Sequence, residues 1–309
     1  MPSPASDLAI RRSGIGGSDA AAVAGQSRWR GPMDVYLEKI GSSAPLIETE
    51  RMFWGKALED VVAKEYARQK ERKVRKSNLT LRDSSAPWRM AHIDRAVIST
   101  DGVRRGLECK TADRFSAADF GEPDTDEVPP DYLLQCAHYL GVTGWDVWDL
   151  AVLIGGNTFR TYHIPRDEDL IHDLFVLEDD FWQNNVVPRI PPPIDGSEAS
   201  RRFLEAGHVA PEDEIPMTDE LYELAMRYES LRLTIKASAL GLDLVKNKIR
   251  EAMSGKGKSR RDNAKVSWSI ATVRRLDGKG LAEAHPKLAA PFYVESEEHR
   301  ITVTVREEK

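Results

Sequence analysis

Two strand-like runs around an Asp-Gly turn constrain this chain more than any other feature. Arg89 to Ile98 and Val103 to Lys110 flank Thr100-Asp101-Gly102, and Asp-Gly between two such runs signals a β-hairpin. Side chains alternate along a strand, so Glu108 and Lys110 point one way and Cys109 the other. If Thr100 to Gly102 form the whole loop, Ser99 pairs with Val103 and Asp94 falls opposite Glu108. Cross-strand Cβ atoms are then about 5 Å apart. A two-residue loop shifts the register by one and loosens that convergence.

Two carboxylates and a lysine on one spot have a particular chemistry. The carboxylates repel unless a cation neutralises them. Mg²⁺ is a hard ion that prefers oxygen and keeps waters which a substrate phosphate can displace. A metal held there polarises a phosphoryl oxygen and acidifies a bound water, while Lys110 orients that water or stabilises charge on phosphorus. The same spacing also fits a surface ion-pair ladder with no chemistry.

Around the hairpin the pattern is a helix–strand mixture. Helices are expected over Ser18 to Gly25 (with Ser18 as N-cap and Asp19 in the first turn), Met33 to Ile40, Met52 to Lys70, Asp131 to Leu140 and Asp167 to Gln183. Ser77 to Arg82 reads as a strand, and Val147 to Ile154 with Thr158 to Ile164 as a second hairpin over Gly155-Gly156. That is an α/β or α+β core of about 190 residues. The cluster Pro188, Pro191, Pro192 and Pro193 ends it, with linker expected to residue 216. From Leu221 to Ile249 apolar residues recur at three-and-four spacing and predict one long amphipathic helix. The loop Gly255 to Arg261 and strand-like runs Ala264 to Arg274 and Arg300 to Arg306 complete a C-terminal module. The expected division is therefore 1–190, a linker 191–216, and a module 217–309.

Composition narrows the function classes. Of 309 residues 41% are hydrophobic and 30% charged, and no apolar run reaches a membrane span. Met1 to Ile10 lack a signal-peptide pattern, and Cys109 and Cys136 offer no zinc-type spacing, so a reducing cytoplasm is expected. The net charge of −6 excludes a uniformly basic coat but not a local nucleic-acid surface. Arg68 to Lys76 is a basic stretch, equally readable as a solvated helix end or a DNA-facing patch.

Five motifs in order carry a resemblance: Gly14-Ile15-Gly16-Gly17-Ser18-Asp19, Trp54-Gly55-Lys56 with Glu59, Asp94, Glu108-Cys109-Lys110, and Gln135 with Tyr139. Together they resemble the YqaJ-like phage recombinase exonucleases, relatives of lambda exonuclease in the PD-(D/E)XK nuclease superfamily. The resemblance spans residues 10 to 185. Ile93-Asp94 lacks the proline of the superfamily's name.

The resemblance implies a restriction-endonuclease-like α/β core, with a mixed central sheet flanked by helices. It matches Asp94 and Glu108 to the metal-binding acids, the Cys109 carbonyl to a backbone ligand, and Lys110 to the catalytic lysine. It matches Glu59 to a helical glutamate assisting the metal site, and Gln135 and Tyr139 to a helix motif beside the centre. Arg11 and Ser18 fall where relatives bind a terminal 5′-phosphate. It implies Mg²⁺, with Mn²⁺ substituting, and 5′ to 3′ hydrolysis of duplex DNA that leaves 3′ strands for recombination. A single-strand annealing partner, a ring-like trimer, a bacterial cytoplasm and a phage or prophage origin complete the expectation. A structure-selective endonuclease and a DNA-binding scaffold with an idle centre are the alternatives. His92 reads as a satisfied sheet histidine, Cys109, Cys136, Trp145 and Trp148 as core, and Trp29 as either core or a DNA-stacking ring.

Overall fold

The computed structural model describes residues 4–43, 48–98, 102–208, 215–255, 257–262, 264–274 and 276–293, without the side chains of residues 4–7, Asn78 and Asp94. The chain divides into two compact units, Met1–His208 and Val209–Lys309.

A six-stranded mixed sheet organises the first unit. Its strands are β1 (Ile15–Gly16), β2 (Lys73–Arg82), β3 (Arg89–Ile98), β4 (Arg105–Ala112), β5 (Val147–Ile154) and β6 (Thr158–Pro165). The order is β1-β3-β4-β5-β6, with β2 along β3; β4 and β5 are parallel, and β2–β3, β3–β4 and β5–β6 antiparallel. Helices α1 (Pro4–Arg12), α2 (Gly17–Val23), α3 (Pro32–Lys39), α4 (Glu50–Gln69), α5 (Pro130–Thr143), α6 (Glu168–Phe181) and α7 (Glu198–Gly207) flank it. The α/β class is as the sequence implies.

Alternation along β4 and β5 separates two cores. Trp148, Leu150, Val152 and Ile154 pack with Leu134, Cys136, Ala137 and Leu140 of α5. Leu107 and Ala151, with half-buried Cys109, pack with Val62, Ala63 and Tyr66 of α4. The sheet is thus covered by α5 on one face and α4 on the other, which removes apolar area from water on both sides.

Thr100 and Asp101 lie outside the described residues. The ladder Arg95–Leu107, Ala96–Gly106, Val97–Arg105 is nevertheless the register that a Ser99–Val103 closure demands. Beyond the Arg95–Leu107 pair, Ile93 packs in the α5 core and Cys109 against the α4 core, opposite faces that facing residues of a ladder would not take, so β3 and β4 fork past that pair. Ala91 and Ile93 accordingly pack in the α5 core while Val97 packs in the α4 core.

Several boundaries differ from the sequence reading. Ser18 is inside the first turn of α2, and Gly16 is its N-cap, because the Asp19 carboxylate accepts from the Gly16 N–H at 3.1 Å. Strand β2 begins at Lys73, inside the basic stretch. Arg68, Lys70 and Arg72 of that stretch pair with Glu65, Asp124 and Asp149. Helix α7 stands where linker was expected, capped by Ser197 and burying Ala199 and Ser200, so the first unit runs to His208.

In the second unit, α8 (Asp219–Met253) is 35 residues long, capped by Thr218 and ended by Ser254 in the left-handed region. Strands β7 (Lys258–Arg261) and β8 (Ala264–Ser267) form an antiparallel pair. Lys258, Arg260 and Arg261, expected in a loop, are therefore in β7, Lys256 lies outside the described residues, and the expected strand Ala264 to Arg274 stops at Ser267. Arg300 to Arg306 lie outside the described residues. Among the described residues no helix is long and apolar enough to cross a membrane.

Candidate active site

The fork between β3 and β4 is where charged side chains meet. Glu108 and Lys110 project from β4 toward α5, and Lys110 Nζ lies 2.7 Å from Glu108 Oε1. Gln135 Nε2 donates to the same Oε1 at 3.0 Å and to the Tyr139 hydroxyl at 3.2 Å. Asp94, one residue beyond the Arg95–Leu107 pair, is level with Glu108 along the backbone.

Helix periodicity aims α5 at this spot. Tyr132, Gln135 and Tyr139 recur at three-and-four spacing and share one face. The Tyr132 ring lies 5.6 Å from Lys110 Nζ and 5.8 Å from the Arg28 guanidinium. Arg28 in turn pairs with Asp131 at 3.1 Å and Asp119 at 2.8 Å.

The N-terminal glycine motif docks on the far end of that row. A Cβ on Gly17 would stand 2.5 Å from the Tyr139 ring, and one on Gly14 would stand 1.9 Å from the Trp88 carbonyl oxygen. Both positions demand the absence of a side chain. Ser18, exposed, follows Gly17 directly at the start of α2. Asp19 is buried and structural: Lys39 holds it at 2.6 Å and Arg30 at 3.2 Å. Burial pushes its carboxyl up, but Lys39 and Arg30 outweigh that and leave it below the ordinary carboxylate value.

Electrostatics give Lys110 a definite state. Burial pulls its ammonium pKa down, yet the Glu108 carboxylate more than compensates and the net shift is upward. Lys110 is therefore a fixed cation at neutral pH. Burial raises the Cys136 thiol well above its usual value, which suits a core residue and not a nucleophile. His92 is exposed on β3, with Thr80 Oγ1 3.1 Å from its Nδ1.

Two expected participants have partners elsewhere. Glu59 of α4 is 2.9 Å from Arg95 Nη2, and Arg95 also binds Asp60. Arg95 pairs with Leu107 and so faces α4, opposite to Glu108. Arg11, half-exposed in the last turn of α1, has its Nε 3.8 Å from Glu38 Oε1, and its carbonyl accepts from Lys39 Nζ at 2.9 Å. The geometry thus joins Glu108, Lys110, Gln135 and Tyr139, with Asp94 level by backbone position. Glu59 and Arg11 stand in separate ion pairs.

Among the described residues no three His, Cys, Asp or Glu side chains cluster tightly enough to cage a metal; the Asp94 side chain lies outside that description. Among the described side chains the oxygen donor at the fork is the Glu108 carboxylate. A carboxylate without nearby Cys or His donors among the described residues suits a hard, oxygen-preferring cation better than zinc or copper.

Sequence reasoning missed Tyr132, Asp131 and Arg28, although Tyr132 sits at helical spacing from Gln135 and Tyr139. It left Trp29 open. Trp29 is exposed, with the Arg51 guanidinium 4.5 Å from its ring centroid. Trp148 is core, with Trp145 packed against it.

Comparison with known proteins gives this arrangement a family. The YqaJ-like viral recombinase domain matches residues 8–146. Protein YqaJ of Bacillus subtilis, strain 168, itself uncharacterised, is 33% identical over 285 residues, covering 90% of this chain and 87% of that protein. The chain belongs to the YqaJ-like viral recombinase family. The matched segment contains every residue of the fork, both glycine positions and α5, and it ends before β5. Among solved structures, an alkaline exonuclease from Laribacter hongkongensis is similar at 16% identity and a TM-score of 0.48, over 65% of this chain and 98% of that one. A phage-related exonuclease from Haemophilus somnus 129PT is similar at 10% identity and a TM-score of 0.44, over 63% and 96%.

Proposed function

We propose that this recombinase-family protein is a Mg²⁺-dependent deoxyribonuclease that digests duplex DNA from 5′ ends and leaves 3′ single strands for strand annealing. The observation that carries the reading is the Glu108–Lys110 pair, shared with Gln135, at a strand fork level with Asp94. Asp94, Glu108 and the Cys109 carbonyl would hold the cation, with Mn²⁺ an acceptable substitute. A divalent ion bound there supplies a Lewis acid for the phosphoryl oxygen and lowers the pKa of a water.

The chain's own residues do the rest. Lys110, 2.7 Å from Glu108, brings a positive charge to the site. It donates to the charge that builds on the phosphoryl oxygens. Gln135 fixes the Glu108 carboxylate through one N–H and ties it to Tyr139 through the other. Arg11 and the exposed Ser18 are proposed to receive the terminal phosphate, through charge-assisted bonds from arginine. Glu59 would join the metal site only by leaving Arg95. Double-stranded DNA in the host cytoplasm is the substrate, and an annealing protein the recipient of the product.

The test uses linear and closed circular duplexes, labelled at 5′ or 3′ ends, with Mg²⁺ or chelator. Early release of 5′-label from linear duplex, abolished by chelator, is the expected result. Cutting of closed circles would make the protein an endonuclease. Binding without cleavage would make it a scaffold with an idle centre.

A further inference from the structure

The second unit carries a surface that its own described residues leave bare. Helix α8 is 35 residues long, and Met253 is its buried residue. Leu221, Tyr228, Ile235, Leu242 and Ile249 recur at strict sevens, the first position of a heptad. Leu224, Leu231, Ser238, Val245 and Ala252 follow three residues later in each, the fourth position. Large side chains of this seam are exposed; Ile235, at its centre, is 70% exposed. A seam of five heptads is the signature of a two-stranded coiled coil, in which each such residue inserts between four of a facing helix. A shorter row, Met226, Leu233 and Leu240, lies on the opposite side and ends at Asn247.

We propose that α8 pairs with α8 of a second copy of this chain as an antiparallel coiled coil. Two observations fix the orientation. The first is charge: residues 219–235 carry Asp219, Glu220, Glu223 and Glu229 against Arg227 and Arg232 and are net acidic, and residues 236–253 carry Lys236, Lys246, Lys248 and Arg250 against Asp243 and Glu251 and are net basic. Antiparallel pairing sets each half against its opposite, whereas parallel pairing stacks like on like. The second is size. With the helices fully overlapped and opposed, Leu221 meets Ala252, Tyr228 meets Val245, and Ile235 meets Ser238. Every small residue of the seam then faces a large one, as tight packing requires. A parallel pair in register sets Ser238 on Ser238 and Ala252 on Ala252, leaving two underfilled layers. The inference does not depend on the reaction at Glu108.

The test uses the full-length protein. Light scattering of the wild type should give a mass containing the paired chain, and Ile235→Lys should halve it, while Ile235→Leu keeps it. Circular dichroism reads whether Ile235→Lys retains its helix. Orientation is read by oxidation of cysteine variants, which does not need a dissociated mutant. Positions 221 and 252 lie about 47 Å apart along one helix at 1.5 Å per residue, too far for a bond within a chain. The double variant Leu221→Cys with Ala252→Cys should cross-link into a dimer, and neither single variant should. Cross-linking by either single variant means a parallel pair and overturns the proposal. A monomeric wild type, or a mass indifferent to Ile235→Lys, means that the chain's own residues or another protein cover the seam, and overturns it equally.

Discussion

Two carboxylates, Asp149 buried and Glu108 half-buried, stand on opposite faces of the β4–β5 pair, and their surroundings differ in kind. Asp149 of β5 is fully enclosed: it accepts from the Tyr66 hydroxyl and from Arg72 at 3.0 Å, and His163 Nδ1 lies 2.6 Å from it. These partners come from α4, the turn after it and β6, so the carboxylate ties three elements together. Burial and the neighbouring Asp149 push the Tyr66 phenol far up, which keeps it a donor. Glu108 of β4 keeps some solvent contact, and Lys110 and Gln135 meet it on one oxygen at the mouth of a fork. A carboxylate saturated by partners from every side holds structure. One that is engaged on one oxygen and keeps contact with solvent leaves an oxygen for the cation proposed above.

The largest effect expected from this contrast is on stability. Asp149→Ala strands Arg72 and His163 beside a buried gap and should cost about 3–5 kcal/mol, the usual range for breaking a buried ion pair. Denaturant unfolding measures it. The cleavage rate per folded molecule should stay near wild type; a lost rate with unchanged stability would reverse the roles of the two faces.

Next comes Lys110→Gln, expected to slow cleavage by roughly 10²–10³, as for loss of a charge-stabilising donor, with the unfolding midpoint little changed. The pH sign follows from its raised pKa. The contribution of a raised lysine is complete below the ordinary value of about 10.4 and is lost as pH climbs through the higher folded value. The mutant's deficit should therefore be even from pH 6 to 10. A deficit that vanishes within that range would make Lys110 a titrating base.

Gln135→Ala should be milder, about tenfold in rate, because one hydrogen bond to a charged acceptor is worth about 1.5–3 kcal/mol and part of it is recovered by water. Steady-state kinetics should place the loss in kcat. The smallest effect concerns His138, fully buried with Nδ1 2.7 Å from Glu178 and Nε2 2.8 Å from the Met90 carbonyl oxygen. Burial lowers its pKa, but Glu178 wins and the net shift is upward. The stability it lends is full below the ordinary histidine value near 6.5 and fades as pH rises through the folded one. His138→Gln should flatten the stability–pH curve on that side, and an unchanged slope would remove His138 as its cause.

Much of the candidate site was legible because it is local. Alternation put Glu108 and Lys110 together, while Asp94 fell level with Glu108 only for a three-residue loop, the register that the β3–β4 ladder has. What escaped depends on docking. Glu59 was matched to the metal site only through the family resemblance, yet the face of β3 that presents Arg95 decides its partner. The Asp149 network joins residues from 66 to 163 and has no motif. The glycines of the N-terminal run were visible as a motif, but their reason, the Tyr139 ring and the Trp88 carbonyl, exists only in the folded chain. Ser18 looked like a cap until Asp19, one residue later, took the Gly16 N–H. Helix α7 was hidden by the prolines before it and shows itself by burying Ala199.

The most direct test of the central claim is nucleotide release from a linear 5′-phosphorylated duplex in Mg²⁺ by wild type and by Glu108→Gln. The substitution keeps the size of the side chain and removes the charge that a cation requires. Release by wild type that is abolished by chelator and lost in Glu108→Gln, with both proteins equally stable, is the predicted result. Wild-type release by Glu108→Gln would contradict the assignment of the fork as the reaction centre.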